Sequence, residues 1–252
     1  MKGLSIPSAA LVLLIALSLS TCSDDATNPN DLGGDTNLEL TQVGQLFPIS
    51  LSSPDNPGSV LSDLKDSIVI TRNDGGIVTF HAVVAVDTAF VRGLETELGI
   101  ATLNADLRHA ILETYVNRFN VVVDSTDKNN ITLTTDARLK VTSEGIQEFV
   151  SSGGDLSRPF TIVKYNANVG DTWTFTNQEG IAVTRTVAYK STTDDYQIGF
   201  WYLKVIKVEE TKEDPVMEKI TYVTNHKYGL VGVEATTKTG KQLKVIVFPP
   251  TL

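Results

Sequence analysis

The three histidines of the chain, His81, His109 and His226, are the side chains best suited to acid–base or metal chemistry. No two of them have the four-residue spacing of the common helical zinc motif, so no zinc site is predicted. The sequence has no Gly-x-Ser-x-Gly turn for a serine nucleophile, and its one cysteine, Cys22, lies near the N-terminus. We therefore predict a protein that is not an enzyme and that uses no cofactor.

Oxygen-bearing side chains are concentrated in one loop, Asp124–Asn130. Calcium prefers such ligands, but their order departs from the EF-hand pattern and a polar hairpin loop explains them as well. The pairs Asp194-Asp195 and Glu209-Glu210 are adjacent in sequence, and adjacent residues of a strand point to opposite faces. Neither the loop nor the pairs predicts a metal site or a paired acid and base.

Aromatic side chains provide the candidate binding residues. In the run Phe200-Trp201-Tyr202, Trp201 points to the opposite face of a strand from its two neighbours. One face packs in the core, and the other packs under a helix, lines a cavity for an apolar ligand, or forms a platform for a sugar. The predicted ligand-binding residues are Phe200, Trp201, Tyr202 and Tyr222.

Strand patterns dominate the part of the chain that must position these residues. Ser67–Thr71 and Ile77–Val86 flank the turn Asn73–Gly76 and read as a hairpin, because glycine supplies the positive φ of tight turns. Phe119–Val123 and Ile131–Thr134 flank a polar loop and predict a second hairpin. Further strands are predicted at Ala137–Val141, Phe160–Tyr165, Thr172–Thr176, Ile181–Tyr189, Phe200–Val208, Lys219–Thr224, Gly229–Ala235 and Leu243–Phe248.

Helix patterns are few. Asn104 is a candidate N-cap, and Gly99 and Gly153 are candidate stops. The predicted apolar helix faces are Phe90, Leu94 and Leu98; Leu107, Ala110, Ile111 and Tyr115; and Ile146, Phe149 and Val150. The predicted class is α+β and β-dominated: a strongly curved antiparallel sheet, an open or half barrel, with two or three short helices. A β-sandwich is the alternative.

The N-terminus predicts export and a lipid anchor. Lys2 precedes an apolar run that is shorter than the ~20 residues needed to cross a bilayer. The run ends in Leu19-Ser20-Thr21-Cys22, which resembles the bacterial lipobox, and this resemblance implies lipidation of Cys22. The predicted organisation is a signal peptide over 1–21, the lipidated cysteine with an acidic flexible tether over 22–37, and a single β-rich domain over 38–252.

The C-terminal part carries a second resemblance. Val169-Gly170-Asp171-Thr172-Trp173, followed later by Gly229-Leu230-Val231, is similar to a loose group of uncharacterised exported bacterial proteins. The resemblance implies an open barrel or highly curved sheet. A folding role explains the motif equally well, with Trp173 and Phe175 facing the core and the neighbouring threonines facing out.

Charge and location limit the partners. The net charge of −9 and the absence of a long basic stripe argue against nucleic acid. Ser23 after the cysteine resembles the sorting signal for the outer membrane, on its periplasmic side or at the cell surface. Three functions remain open: a binding module for a lipid or other apolar ligand, a surface lipoprotein that binds an envelope protein or a glycan, and a hydrolase with scattered catalytic groups.

Overall fold

The computed structural model describes residues 32–55, 65–127 and 129–250, and both the lipobox and Cys22 lie outside this part of the chain. Strands dominate the described residues, as predicted. The strands are β1 (Leu46–Ser52), β2 (Lys65–Asp74), β3 (Ile77–Val86), β4 (Val122–Asp124), β5 (Ile131–Thr142), β6 (Gly145–Glu148), β7 (Phe160–Lys164), β8 (Thr172–Thr176), β9 (Ala182–Lys190), β10 (Tyr196–Ile198), β11 (Trp201–Leu203), β12 (Ile206–Lys212), β13 (Met217–Asn225), β14 (Gly229–Thr237) and β15 (Gln242–Val247).

One antiparallel sheet of 13 strands curls into a nearly closed barrel. Its order is β7-β6-β5-β3-β2-β1-β15-β14-β13-β12-β9-β8, with β4 paired to β5. Alternating residues of these strands point inward and form the core; β5, for example, alternates buried and part-exposed residues along most of its length. The predicted curved antiparallel sheet is therefore confirmed, and the sandwich alternative is not the observed fold.

Side chains close the seam between the edge strands β7 and β8. Trp173 Nε1 of β8 donates to the carbonyl oxygen of Thr161 in β7 at 2.6 Å. The rings of Phe160 and Phe175 stack across the seam with centroids 3.9 Å apart. Trp173 and Phe175 thus face inward between exposed threonines, as predicted. Because β7 has no strand partner on this side, these contacts replace a backbone ladder.

Two helices cap one end of the barrel: α1 (Thr88–Glu97) and α2 (Ala105–Arg118). The predicted N-cap is confirmed, since the Asn104 side chain accepts from Leu107 N at 2.9 Å. The predicted face of α1 is buried, but in α2 Leu107 and Ala110 are exposed, and the buried residues are Ile111, Leu112, Tyr115 and Val116. Within the described residues, no helix is long and apolar enough to cross a membrane.

The predicted third helix is wrong. Gly145–Glu148 is strand β6, which pairs with β5 and β7, and Phe149 and Val150 follow it. The spacing of Ile146, Phe149 and Val150 fits a helix, but it equally fits a short strand that ends in a turn. Pairing on both sides satisfies the backbone of this segment, so tertiary contacts override the local pattern.

The predicted strand Phe200–Val208 is divided in two. Trp201–Leu203 pairs with Tyr196–Ile198 in a separate hairpin, and Ile206–Lys212 belongs to the barrel. The hairpin packs on the outer face of the barrel through a small second apolar cluster. The members of that cluster are Tyr196, Ile198, Leu203, Val205, Val223 and Val231, with Tyr228, Ile246 and Phe248 packed against them.

The N-terminal strap, which we define as residues 32–41, lies at the end of the barrel opposite the helices. Leu32 is buried, and its N–H donates to Gln147 Oε1 at 3.0 Å. Asp35 N donates to Ser143 Oγ at 2.9 Å, and a 3-10 turn follows at Glu39–Thr41. Leu32, the first residue that the structure describes, is thus packed on the barrel, although the sequence assigned it to the tether.

The seam gives a first prediction. Trp173→Phe removes the N–H that donates to Thr161 across the unpaired edge, so we expect the free energy of unfolding to fall by about 1–2 kcal/mol. Urea unfolding followed by circular dichroism measures the loss. Trp201→Phe is the matched control, since this exposed ring lies outside the barrel and its change should be nearly neutral. Equal effects of the two substitutions would contradict a role for the Trp173 bond in closing the barrel.

Candidate functional site

Three cavities follow one another along the inside of the barrel. A groove at the strap end shares Leu40 and Tyr228 with an apolar chamber. The apolar chamber shares Leu139 and Leu230 with a polar chamber nearer the helices. Shared walls place the three spaces in series, so the barrel interior runs from an open mouth through an apolar middle to a charged end.

Arg185 is the centre of the polar chamber. It lies on β9, its side chain is only 1% exposed, and it points into the barrel. Its Nη2 lies 2.8 Å from Glu148 of β6 and 2.8 Å from Glu210 of β12. Its Nη1 donates to the carbonyl oxygen of Thr161 at 2.8 Å, at the unpaired edge of β7. One guanidinium thus joins strands from both sides of the seam.

Glu210 is held as a carboxylate by its neighbours. Burial by itself would raise its pKa, but Lys212 and Arg185, by charge and by hydrogen bonds, lower the pKa from 4.5 to about 2. The Tyr222 hydroxyl donates to the same carboxylate at 3.0 Å, and the pKa of Tyr222 is raised well above its ordinary value by burial and by Glu210. These groups are already paired with one another, which favours a structural role for the cluster over acid–base catalysis.

A second ionic cluster attaches α2 to the barrel. Arg118 Nη2 lies 2.8 Å from Glu179 in the β8–β9 turn, and its Nη1 lies 3.3 Å from Asp214 in the β12–β13 turn. The Tyr115 hydroxyl also donates to Asp214. Because Asp214 accepts two backbone N–H groups as well, its carboxylate closes the turn and holds the helix at once. These contacts therefore hold α2 against the two turns at the charged end of the interior.

The apolar chamber lies at the other end, beneath the strap. Its walls are Leu40, Phe47, Ile68, Phe80, Leu139, Val141, Ile146, Tyr228, Gly229, Leu230 and Val247. The water-accessible volume of this chamber is about 30 Å³, enough for about two water molecules. A ligand larger than this can bind only if one of the lining side chains moves.

Leu40 is the residue of the strap that lines the chamber. It lies in the three-residue 3-10 turn of the strap and is only partly buried. Its side chain reaches toward Gly229, where an added Cβ would stand 3.3 Å from Leu40 Cδ1. Gly229 has a φ of +72°, so glycine meets both the backbone and the space requirement at this position. Leu40 thus lines both the chamber and the groove, with Gly229 leaving room for its side chain, and we call it the plug between them.

The mouth groove is more open and partly polar. It is lined by Leu38, Glu39, Leu40, Gln45, His226, Lys227, Tyr228 and Pro250, and the space that the centre of a water molecule can reach is about 220 Å³. Lys227 Nζ lies 4.8 Å from the centroid of the Tyr228 ring. His226 and Lys227 are exposed at this mouth. An apolar chamber below a groove with charged side chains of both signs, Glu39 and Lys227, is an arrangement that suits an amphiphile.

The structure separates the residues that the sequence grouped as a binding set. Tyr222 is buried inside the barrel in the polar chamber. Phe200, Trp201 and Tyr202 lie at the end of the outer hairpin and are exposed by 94%, 43% and 55%. Neither helix covers them, so packing under a helix does not explain these three rings.

The histidines remain apart. His81 lies 2.7 Å from Asp136, its partner residue in the β3–β5 ladder, on the outer face of the barrel. His109 lies 3.9 Å from Glu113 on α2, and His226 is at the mouth. Over residues 32–55, 65–127 and 129–250, no group of three or more histidine, aspartate, glutamate or cysteine side chains is arranged to hold a metal ion.

The described part of the oxygen-rich loop satisfies its own backbone. Asp124 Oδ1 accepts from the N–H and the hydroxyl of Thr126, and Asp127 Oδ1 accepts from Asn129 N. The hydrogen bonds from Thr126 lower the pKa of the exposed Asp124. These are the side-chain contacts of a polar turn, as the alternative to calcium requires.

Sequence reasoning missed the plug and the buried arginine. Arg185 lies in Ala182–Lys190, where its inward position between Val183 and Val187 was visible as alternation. A charged residue at an inward position predicts a buried ion pair, but not its partners. Leu40 was recognised as apolar, and its place at the mouth depends on contacts with Gly229, which is distant in sequence.

No known protein family matches the sequence, and no curated protein matches it. The chain is similar to a solved structure from Bacteroides fragilis, provisionally described as an exported protein with a YmcC-like fold, at 8% identity and a TM-score of 0.36, over 82% of this chain and 95% of the other. A protein from Parabacteroides distasonis, provisionally described as a lipoprotein, is 8% identical with a TM-score of 0.34, over 82% and 94%. Both likenesses are too distant to assign a function.

The polar chamber gives a second prediction. Because the folded-state pKa of Glu210 lies below 4.5, its carboxylate stabilises the fold above about pH 4.5, and this contribution is lost as the pH falls to about 2. The loss amounts to about 3 kcal/mol. We expect Glu210→Gln to be less stable at neutral pH and to lose this part of the acid dependence, as measured by urea unfolding between pH 6 and pH 2.

Glu209→Gln is the matched control for this experiment. Glu209 is the preceding residue of β12 and is half-buried on the outer face, where it pairs with Lys219. It should keep the acid dependence of the unchanged protein. If Glu210→Gln and the unchanged protein lose stability in parallel over this range, the neighbours of Glu210 do not lower its pKa in the folded state.

Proposed function

We propose that this protein is an exported, lipid-anchored binding module of the bacterial cell envelope, and that its barrel takes the apolar chain of an amphiphile through the mouth. Lipid on Cys22 is the proposed anchor, and Ser23 favours the outer membrane. The proposed role is binding, without catalysis. The observation that carries the proposal is the series of three cavities that share Leu40, Tyr228, Leu139 and Leu230 as common walls.

The proposed ligand has an apolar chain and a polar head. The chamber under the plug is lined almost completely by apolar side chains, which suit an alkyl or isoprenoid chain. The groove above it offers Glu39, His226 and Lys227, which suit a polar head. A ligand could enter the polar chamber only by separating the ion pairs of Arg185, and this would leave buried charges unpaired.

Displacement of the plug is the proposed opening step. The chamber is small while Leu40 occupies the mouth, so ligand binding competes with the packed strap. Asn73 Nδ2 donates to the carbonyl oxygen of Thr41 at 3.0 Å, and Asp35 N donates to Ser143 Oγ at 2.9 Å, so the opening step moves only the segment between these two attachments, which carries Leu40. The apparent affinity is then lower than the intrinsic affinity by the fraction of open molecules.

A second candidate function is supported by the exposed rings of the outer hairpin. Phe200, Trp201 and Tyr202 form an apolar surface on a protein whose mature part is otherwise acidic. A surface lipoprotein that binds an envelope protein or a glycan would use such a surface. The cavities would then be packing defects without a ligand.

Native mass spectrometry tests the binding proposal. A chain that begins at residue 22, with Cys22→Ser to prevent lipidation, is incubated with an extract of bacterial envelope lipids. We expect a stoichiometric adduct with the mass of one amphiphile. A bare protein mass at high lipid concentration would overturn the proposal and leave the surface function.

Substitutions at the plug give a third prediction. Leu40→Ala weakens the plug, and if the open state gains about 1 kcal/mol the apparent Kd for a fluorescent amphiphile such as 1-N-phenylnaphthylamine falls about fivefold. Leu230→Phe places a larger ring at the wall between the two chambers and is expected to reduce binding. Fluorescence titration of both variants measures these opposite effects.

Leu46→Ala is the control for the plug experiment. Leu46 is at the start of β1 and half-exposed on the outer face of the barrel, so the same truncation there removes no wall of the chamber. The affinity of the Leu46→Ala variant for the fluorescent amphiphile should equal that of the unchanged protein. Equal affinities of the Leu40→Ala and Leu46→Ala variants would show that the probe binds elsewhere.

A further inference from the structure

The outer hairpin ends in an exposed aromatic tip, which we define as Phe200, Trp201 and Tyr202. Phe200 is 94% exposed and occupies the two-residue turn Gly199–Phe200 between the paired residues Ile198 and Trp201. Turn positions usually carry glycine, asparagine or aspartate. A phenylalanine that is almost completely exposed adds nothing to the core, and the partly exposed rings of Trp201 and Tyr202, on the two faces of the hairpin beside it, make this end of the hairpin apolar.

The hairpin is built to hold this tip in place. Gly199 has a φ of +57°, the conformation that a tight hairpin turn requires at its first central residue. The barrel-facing side of the hairpin is buried: Tyr196, Ile198 and Leu203 pack on the barrel wall, and Trp201, the cross-strand partner of Ile198, lies on the same side at its outer end. The Phe200 and Trp201 rings meet edge to face with centroids 6.4 Å apart. The tip is therefore a projecting element with a supported base.

The tip lies at the same end of the barrel as the mouth. A Cβ added at Gly199 would stand 3.6 Å from the ring of Phe248, which directly follows β15. Pro250, two residues further on, lines the mouth groove with Leu38 and Leu40 of the strap. The aromatic tip, the groove and the strap thus share one rim, and the helices are at the other end.

The proposed lipid anchor reaches this rim from its other side. Leu32 is fixed to Gln147 of β6, and in the sheet order β6 and β15 are separated by β5, β3, β2 and β1. The start of the strap at Leu32 and the tip are therefore across the mouth from each other. Cys22 is ten residues before Leu32 in the sequence, and ten residues span at most about 35 Å. The lipid must lie within that distance of the rim.

We propose that the aromatic tip inserts into the interfacial layer of the membrane that holds the lipid of Cys22, so that the barrel mouth faces the bilayer. The proposal rests on the proposed lipid anchor and extends it, because a flexible tether alone leaves the orientation of the domain open. A second contact across the mouth fixes that orientation. An amphiphile would then pass between bilayer and chamber without crossing bulk water.

The chemistry of the tip favours an interface over other partners. Tryptophan and tyrosine are enriched at the level of lipid headgroups, and a projecting phenylalanine can enter the apolar layer beneath them. The chain has a net charge of −9, so attraction to anionic lipids cannot drive the contact. Binding to a neutral bilayer is the expected consequence, with anionic lipid giving no increase.

The test measures insertion of the tip into neutral vesicles. The chain beginning at residue 22 with Cys22→Ser also carries Trp173→Phe, which leaves Trp201 as the one tryptophan of the two in the sequence. With phosphatidylcholine vesicles, we expect a blue shift of Trp201 emission and quenching by brominated lipid. Phe200→Ser should weaken the partitioning at least about tenfold, since transfer of one phenylalanine side chain out of water is worth that much.

Val122→Ser is the matched control. Val122 is 66% exposed on β4, at the helix-capped end of the barrel, so its change should leave partitioning unaltered. The proposal is overturned if neutral vesicles give no Trp201 response, if Phe200→Ser and Val122→Ser have equal effects, or if only anionic vesicles bind. A Trp201 response to envelope glycan or to a soluble envelope protein, without a response to vesicles, would overturn it and assign the tip to that partner.

Two variants separate this proposal from the chamber. Leu230→Phe, with reduced amphiphile binding, should still partition onto vesicles. Phe200→Ser should still carry its amphiphile adduct in native mass spectrometry. Loss of both activities in both variants would show that vesicle binding is only transfer of the ligand through the mouth, and would overturn an independent role for the tip.

Discussion

The buried guanidinium of Arg185 closes the barrel at the place where backbone pairing stops. Strands β7 and β8 have no ladder between them, and Arg185 bridges the gap by binding Glu148 on one side, Glu210 on the other and the carbonyl oxygen of Thr161, which also accepts from Trp173. Buried charges persist only when they are paired, and loss of the arginine would remove the cation beside Glu148 and leave Glu210 with Lys212 alone. The remaining architecture depends on this closure, because an open seam would admit water to the core.

This closure gives the barrel two unlike ends. At the helix end, the Arg185 cluster and the bonds of Arg118 to Glu179 and Asp214 hold every wall in place. At the mouth, the interior is apolar and covered by a short strap with Leu40 as its plug. The mouth end also carries the aromatic tip and Leu32, the first described residue of the chain. The ligand entry, the lipid anchor and the membrane contact that we propose would therefore share one rim.

Local features of the fold were predictable because short-range interactions determine them. The β2–β3 hairpin, the Asn104 cap and the inward face of Trp173 and Phe175 all follow from contacts between residues that are near in sequence. The helix expected around Ile146 failed because pairing on both sides made that segment a strand. In α2, Ile111 and Tyr115 of the predicted apolar face are buried, but the barrel buries Leu112 and Val116 beside them in place of Leu107 and Ala110.

The sequence by itself determined the antiparallel, β-dominated class, the caps and turns, and the resemblance of Cys22 and its preceding residues to a lipobox. Only the tertiary structure decided which candidate residues belong together: Tyr222 lies inside beside Glu210, and Phe200, Trp201 and Tyr202 project from the rim. The reason is physical. Alternation and turn chemistry act between near neighbours, but closing the barrel joins residues far apart in the chain, and no local pattern encodes which distant partners will meet.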